Sequence, residues 1–330
     1  MNNQISIFPR LLDIDCAAET ENVTRFIRNT VTYMKKRGLV IGLSGGIDSS
    51  VSLALCQKAL GPERVLALLM PEQHSAEETL YLSKMVANNF GVRTVHEEIT
   101  GILEASGFYR RYNSAVQSAI PAYDEGWQSK IVSTNIVEND GFTFFTIIAR
   151  SPAGKEIRKR LDLKSYLGIV AATNFKQRVR KMLEYYHADN LNYAVVGTPN
   201  RLEYDQGFFV KNGDGAADIK PIAHLYKSQV YRMAEFLGIP RKIIERQPTT
   251  DTYSMTQSQD EFYFSLPYES MDLCLYGKNN GIAPEMIATL CGLTEEQVKR
   301  VYKNIDQKRS TTRYLHLHPL LAEEIPEIRI

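Results

Sequence analysis

Apolar residues recur along the first third of the chain in two alternating rhythms. Positions 17–36 carry them at helical spacing, and Gly38 ends that run. A short unbroken apolar run follows at 39–43, then a helical period in IDSSVSLALCQKAL. A second run, RVLALLM at 64–70, leads to a helical pattern in SAEETLYLSKMVANNF, stopped by Gly91, and a third run begins at VRTVHEEI. Short apolar runs set between amphipathic helices are strands buried on both faces. The β-α-β-α-β alternation therefore predicts a parallel, doubly wound sheet with helices on both faces. Such sheets bind ligands at the carboxyl ends of their strands.

The rhythm breaks at about 121–165. The segment SKIVSTNIVENDGFTFFTIIARS holds two β-rich runs around Asn139-Asp140-Gly141, a hairpin signal. It is too short for a core of its own and reads as an antiparallel insertion. Helix returns at about 165–187, NYAVVG (192–197) is a buried strand, and SQVYRMAEFLG (228–238) is again helical. The C-terminal part is helical in YESMDLCLYG, APEMIATLCG and TEEQVKRVYKNID, and ends in an irregular tail. With no repeat, low-complexity stretch or linker, residues 1–330 are expected to form a single domain carrying the insertion.

Composition narrows the choice of partners. Hydrophobic residues make up 44% and charged residues 23% of the 330, an ordinary globular balance. The formal net charge of +1 supplies no global field for nucleic acid or an anionic membrane, so anionic ligands fall to local basic clusters. No apolar run approaches the roughly 20 residues of a spanning helix, and the N-terminus lacks a signal-peptide layout. The four cysteines show no CxxC spacing, which argues against zinc and dithiol chemistry. A cytoplasmic location is expected.

The densest chemistry is LVIGLSGGIDSS, where the first strand delivers its carboxyl end into a glycine turn that opens a helix. Gly45 and Gly46 leave backbone N–H groups free to close on phosphate oxygens at the helix N-terminus. Ser44, Ser49 and Ser50 offer hydroxyl donors, and Asp48 an oxygen suited to Mg²⁺. The segment is neither a Walker A loop nor a dinucleotide GxGxxG. It looks like the SGGxDS pyrophosphate loop of enzymes that split ATP into AMP and pyrophosphate; the plainer reading is a glycine turn with a serine cap.

Four further segments matter. Thr198 follows the NYAVVG strand at its carboxyl end, with Glu203 five residues on; a carboxylate near Asp48 would complete a hard-oxygen Mg²⁺ site. The segment KNGDGAADIKP (211–221) is either an Asx-rich surface loop or a backbone wrapped on a ligand, anchored by Lys211 and Asp218, and Lys227 just downstream begins a helix. In TNFKQRVRKM, Arg178 and Lys181 share a helix face, with Arg180 off to the side. In DQKRSTTRYLHLHP, Lys308, Arg309 and Arg313 lie where helix signal is weak, and His316 and His318 alternate as in an extended strand without further metal ligands.

Taken in order, SGGIDS, NFKQRVRKM, GTPNRLEYDQGFFVKNGDGAADIKPIAHLYKSQV, QPTTD and DQKR resemble the ammonia-dependent NAD synthetases, of the N-type ATP pyrophosphatase group, over nearly the whole length. The resemblance implies an adenine nucleotide α-hydrolase-like fold and a homodimer. It also implies ATP- and Mg²⁺-dependent conversion of deamido-NAD and ammonia to NAD, AMP and pyrophosphate through an acyl-adenylate. It implies ATP contacts at Gly42, Ser44, Gly45, Gly46, Ile47, Asp48, Ser49, Thr198, Lys227 and Thr249, and magnesium ligands at Asp48 and Glu203. Arg178, Lys211, Asp218, Gln307 and Lys308 match deamido-NAD positions, although Gln307 stands where the family often has histidine. Asp48, Lys227 and Asp218 are the expected catalytic groups. SGGIDS starts at Ser44, which leaves no room before it for a glutaminase domain, so free ammonia, or ammonia from a separate partner, is the expected donor. Rival readings are an amidotransferase of the same build acting on another carboxylate, a tRNA-modifying sulfurtransferase, and a non-catalytic module that binds ATP.

Overall fold

The structure is a computed structural model, and it describes residues 11–75, 77–133, 144–247, 249–250, 252–255, 257–258, 263–264 and 266–328. Its centre is a four-stranded parallel sheet made of β1 (Leu39–Gly42), β2 (Val65–Leu69), β3 (Arg93–His96) and β7 (Ala194–Val196), ordered β3-β2-β1-β7. Leu39 pairs with Val65 on one side and Ala194 on the other. The alternation of a pleated strand divides the core. Leu39 and Ile41 pack with Val23 and Ile27 of α1 (Cys16–Tyr33) and Val51 and Leu55 of α2 (Ile47–Leu60). Val40, Leu66, Leu68 and Val195 face the opposite layer. Each large aliphatic side chain fully buried in these layers stabilises the fold by about 1.5–3 kcal/mol.

The expected β-α-β-α-β order is present, with α3 (Glu77–Asn89) between β2 and β3. Two helices were not foreseen: α4 (Thr100–Ala105) and α5 (Phe108–Ala119). Helix α6 (Leu163–Leu191) is longer than expected at both ends. Asp162 caps its start by accepting from Ser165 N at 2.7 Å, and Asn192 ends it in the left-handed region at φ 55°.

The insertion forms a three-stranded antiparallel sheet, β4 (Gln128–Ser133), β5 (Phe145–Arg150) and β6 (Glu156–Arg160). Its inner residues Ile131, Ile147 and Ala149 join the second core layer. The sequence suggested only two strands because EIRKR has no apolar run; β6 is a largely exposed, charged edge. The Asn139-Asp140-Gly141 turn lies outside the described residues.

After β7 come α7 (Arg201–Gln206), α8 (Lys227–Leu237) and α9 (Arg241–Ile244), then the short strands β8 (Thr249–Thr250) and β9 (Gln257–Ser258). The C-terminal part is α10 (Tyr268–Asn279), α11 (Pro284–Cys291) and α12 (Glu295–Thr312), packed through Leu275, Ile287, Val301 and Ile305 against Leu202 of α7. The weak helix signal around Lys308 and Arg309 misled the reading of the sequence. Both lie in α12, and His316 closes a 3-10 turn at Arg313–His316 rather than an extended strand. Tertiary contacts override local propensity there: Arg309 makes a two-pronged ion pair with Asp205 of α7 at 2.6 and 2.7 Å. Among the described residues, no helix is long and apolar enough to cross a membrane.

Candidate active site

In the order β3-β2-β1-β7 the chain moves outward from β1 in both directions, so a crevice opens at the carboxyl ends of β1 and β7. A cavity of about 700 Å³ occupies it, lined by every residue from Gly42 to Ser49 and by Thr198, Glu203 and Lys227. The glycine loop is shaped by its backbone. Gly45 lies at φ 69°, and a Cβ there would stand 2.9 Å from the Leu82 Cβ. Gly46 precedes the first turn of α2, and its carbonyl accepts from Ser49 Oγ at 3.0 Å and Ser50 Oγ at 2.8 Å.

Three chain segments far apart in sequence meet beside this loop. Lys227, the first residue of α8, places Nζ 2.5 Å from Asp48 Oδ2. Asn200 Nδ2 donates to Asp48 Oδ1 at 3.0 Å, while Asn200 N donates to Glu203 Oε2 at 3.1 Å. Asn200 thus holds both expected magnesium ligands and caps α7 through Glu203 N. The solvated charge that a lone Glu203 or Lys227 would ordinarily be is not what the fold builds; Lys227 is 2% exposed. Burial, followed by the Asp48 charge, pushes the Glu203 carboxyl up to about 8. Burial pulls Lys227 down, but Asp48 and Glu203 outweigh it and hold its ammonium above the ordinary lysine range.

The sequence also passed over a polar floor. Lys181 and Glu184 of α6 form a buried ion pair, and a Cβ on Gly42 would lie 2.8 Å from Glu184 Oε1. Arg180 lines the cavity and donates to the Met70 carbonyl at 3.2 Å. Arg178, by contrast, is exposed and absent from the cavity wall, so of the pair expected to share a helix face only Lys181 reaches the ligand space. Lys176, 2% exposed, pairs with Glu72 at 2.7 Å, and Tyr109 OH donates to the other Glu72 oxygen at 2.9 Å. Asn200 was legible as the head of an N-x-x-E capping pattern; Glu72 and Lys176 had no local signal.

The residues expected to meet deamido-NAD stand apart from this cavity wall. Arg178 Nε donates to the Lys211 carbonyl at 3.3 Å, and Lys211 Nζ to the Tyr314 carbonyl at 2.7 Å. Asp218 accepts from Val195 N at 2.7 Å and Tyr185 OH at 3.2 Å. Lys308 Nζ donates to the Tyr263 carbonyl at 2.6 Å and Gln206 Oε1 at 3.3 Å, and Gln307 is exposed on α12. Thr249 belongs to β8, paired with Ser258; its side chain lies outside the described residues.

A glycine loop at the switch point of a doubly wound sheet, with a buried lysine and two carboxylates beside it, defines an α/β protein built to handle a nucleotide phosphate chain. The model of one such family, NAD synthase, matches residues 19–123 and 133–313, and the chain belongs to that family. It is 54% identical over 326 residues to the NH(3)-dependent NAD(+) synthetase of Rhizobium meliloti (strain 1021), covering 99% of this chain and 98% of that one. Among solved structures, the NMN synthetase of Francisella tularensis superposes with TM-score 0.64 at 22% identity, covering 94% of this chain and 100% of the other. The NH3-dependent NAD synthetase of Campylobacter jejuni subsp. jejuni, in complex with nitrate, gives 0.62 at 23% identity with the same coverage. At those identities the likeness is one of fold.

Proposed function

We propose that this protein is a C–N ligase that amidates deamido-NAD to NAD with ammonia, cleaving ATP to AMP and pyrophosphate. The observation that carries the reading is the meeting of the glycine loop with Asp48, Glu203 and Lys227 around Asn200. A carboxylate does not accept an amine at neutral pH; attack of the deamido-NAD carboxylate oxygen on the ATP α-phosphorus expels pyrophosphate and gives an acyl-adenylate, and ammonia then attacks its carbonyl carbon, displacing AMP and losing a proton. The first step needs positioning and charge neutralisation more than a protein nucleophile. Backbone N–H groups at the start of α2 receive phosphate oxygens, and Lys227 offsets charge developing on them. Asp218, carried over by resemblance, would orient the substrate or take a proton from ammonium.

Asp48 and Glu203 suit Mg²⁺: both are hard oxygen donors, and burial beside one another leaves Glu203 short of positive charge. Two protein carboxylates would leave further positions on such an ion for phosphate oxygens and water. When bound, Mg²⁺ offsets the charge of the departing pyrophosphate. Asp48 and Glu203 would hold the ion, and Lys227, whose Nζ pairs with Asp48 Oδ2, would stand beside it as a second source of positive charge for the phosphates.

We also read the active form as a cytoplasmic homodimer. Support for self-association comes from apolar side chains left open on α6, where Leu167, Met182 and Tyr186 are 53%, 54% and 61% exposed.

The test is to incubate purified protein with ATP, Mg²⁺, ammonium and deamido-NAD, and to measure NAD and AMP together. Stoichiometric NAD and AMP are expected; AMP formed only with another acid points to a different carboxylate substrate, and ATP binding without AMP to a sensor. D48N is expected to lower kcat by at least about a hundredfold at saturating Mg²⁺. Near-wild-type turnover of D48N rejects its assignment.

A further inference from the structure

Helix α10 carries an aspartate in the middle of an apolar run. Met271, Leu273, Cys274 and Leu275 are buried, and Asp272 itself is 0% exposed. Burying a carboxylate is costly unless strong partners meet it. Its partners are two backbone groups more than forty residues upstream: Lys227 N donates to Oδ1 at 3.2 Å and Ser228 N to Oδ2 at 2.7 Å. These are the first N–H groups of α8, which have no partner within their own helix, and Tyr226 before them supplies no side-chain cap. A carboxylate from the C-terminal helices therefore takes the place of the local Ser, Thr, Asp or Asn cap that most helices carry. The helix start it grips is the residue whose Nζ reaches Asp48.

We propose that Asp272 is a positioning residue for catalysis, fixing the start of α8 so that Lys227 meets the ATP phosphates from a set point. The inference rests on the reading of Lys227 given under Proposed function. Two divergent carboxylate oxygens on consecutive N–H groups fix both the position and the rotation of the first turn. Lys227 Cα cannot drift toward or away from the glycine loop without breaking a charge-assisted bond. A displacement near 1 Å at such a group costs on the order of a hundredfold in rate. Burial raises the Asp272 carboxyl to about 6, against the pull of the Ser228 and Lys227 N–H groups, so it is mostly ionised at neutral pH. A buried charge kept at that cost serves geometry that an apolar residue cannot provide.

The experiment compares wild type, D272N, K227M, the double variant and L275A, each measured as full-length protein with kcat normalised to folded fraction. In D272N one oxygen still accepts an N–H while the amide opposes the other, so kcat is expected to fall at least about tenfold, with KM for ammonium unchanged. L275A removes a fully buried neighbour on the same helix, lowers the melting temperature and leaves kcat within about twofold. In the K227M background, D272N produces no further loss, because the two act as one unit. D272N within twofold of wild type, a kcat loss matched by L275A, or full additivity with K227M overturns the proposal. If D272N does not fold, D272S carries the same test, and failure of both to fold assigns Asp272 to folding alone. If K227M itself keeps its turnover, the reading of Lys227 fails instead.

Discussion

At the residue scale the glycine loop is the most legible part of the chain, yet its two glycines do different jobs. Gly45 has φ 69° and no room, with Leu82 Cβ at 2.9 Å and the Thr79 carbonyl at 3.0 Å from any added Cβ. At Gly46, φ is −84° and, among the described residues, the only atom close to an added Cβ is Ser44 Oγ at 3.3 Å. G45A is therefore expected to lower the melting temperature and cut kcat/KM for ATP about ten- to a hundredfold, whereas G46A keeps the wild-type melting temperature. Thermal unfolding of the two variants without nucleotide, followed by ATP kinetics, checks both halves. Lys308 gives a pH prediction. Burial lowers its pKa to about 7, below the roughly 10.4 of the unfolded chain. Between those values the unfolded state binds more protons, so this residue makes stability rise with pH from about 7 to about 10. K308M is expected to be more stable than wild type at pH 7 and to flatten that rise, read as melting temperature against pH. The sequence displayed Lys308 as one charge in a basic run. It could not display Tyr263 and Gln206, which surround the amine.

At the scale of elements, legibility tracks how much of an element's signal is its own. Strands β1 and β2 read clearly because both faces are buried, and α2 because a glycine loop opens it. Helix α5 buries Phe108, Tyr112, Val116 and Ala119 at helical spacing with polar residues between them, so its amphipathic signal was present in the sequence although it was not foreseen. Helix α12 persists through Ser310-Thr311-Thr312 because its end is pinned from outside, by the Arg309–Asp205 pair and by Gly207. Gly207 sits at φ 73°, and a Cβ there would fall 2.3 Å from the Thr312 Cβ. G207A is expected to force α7 and α12 apart and destabilise the protein by about 1–3 kcal/mol, measured by urea unfolding. G238A carries a similar left-handed penalty at φ 74° but meets nothing within 4 Å among the described residues, so it costs less. The difference between the two isolates the packing of α12 from backbone strain.

On the scale of the whole molecule, the pattern of apolar runs was enough for a parallel, doubly wound sheet, but not for its strand order or for the pairs that stitch distant segments together. Lys227 and Asp48 are 179 positions apart, and Glu72 and Lys176 are 104 apart. A neutral chain, with net charge +1, hides this arrangement, because opposite charges cancel in the sum while each pair remains local. The Glu72–Lys176 pair is the sharper case: side-chain exposure is 0% and 3%, so desolvation is nearly complete for both ions. Glu72 follows β2 and Lys176 lies on α6, so the pair ties the first half of the sheet to the long helix that carries Lys181 and Glu184. Coulomb attraction holds the Glu72 carboxyl below its usual range even against burial. Removing one partner strands a buried charge, so K176M is expected to cost about 3–5 kcal/mol in urea unfolding. E72Q/K176M leaves no ion behind and is expected to regain at least about half of that loss, since a buried pair adds little net stability over a neutral replacement. A double variant no more stable than K176M would mean the pair serves packing along α6 rather than charge balance.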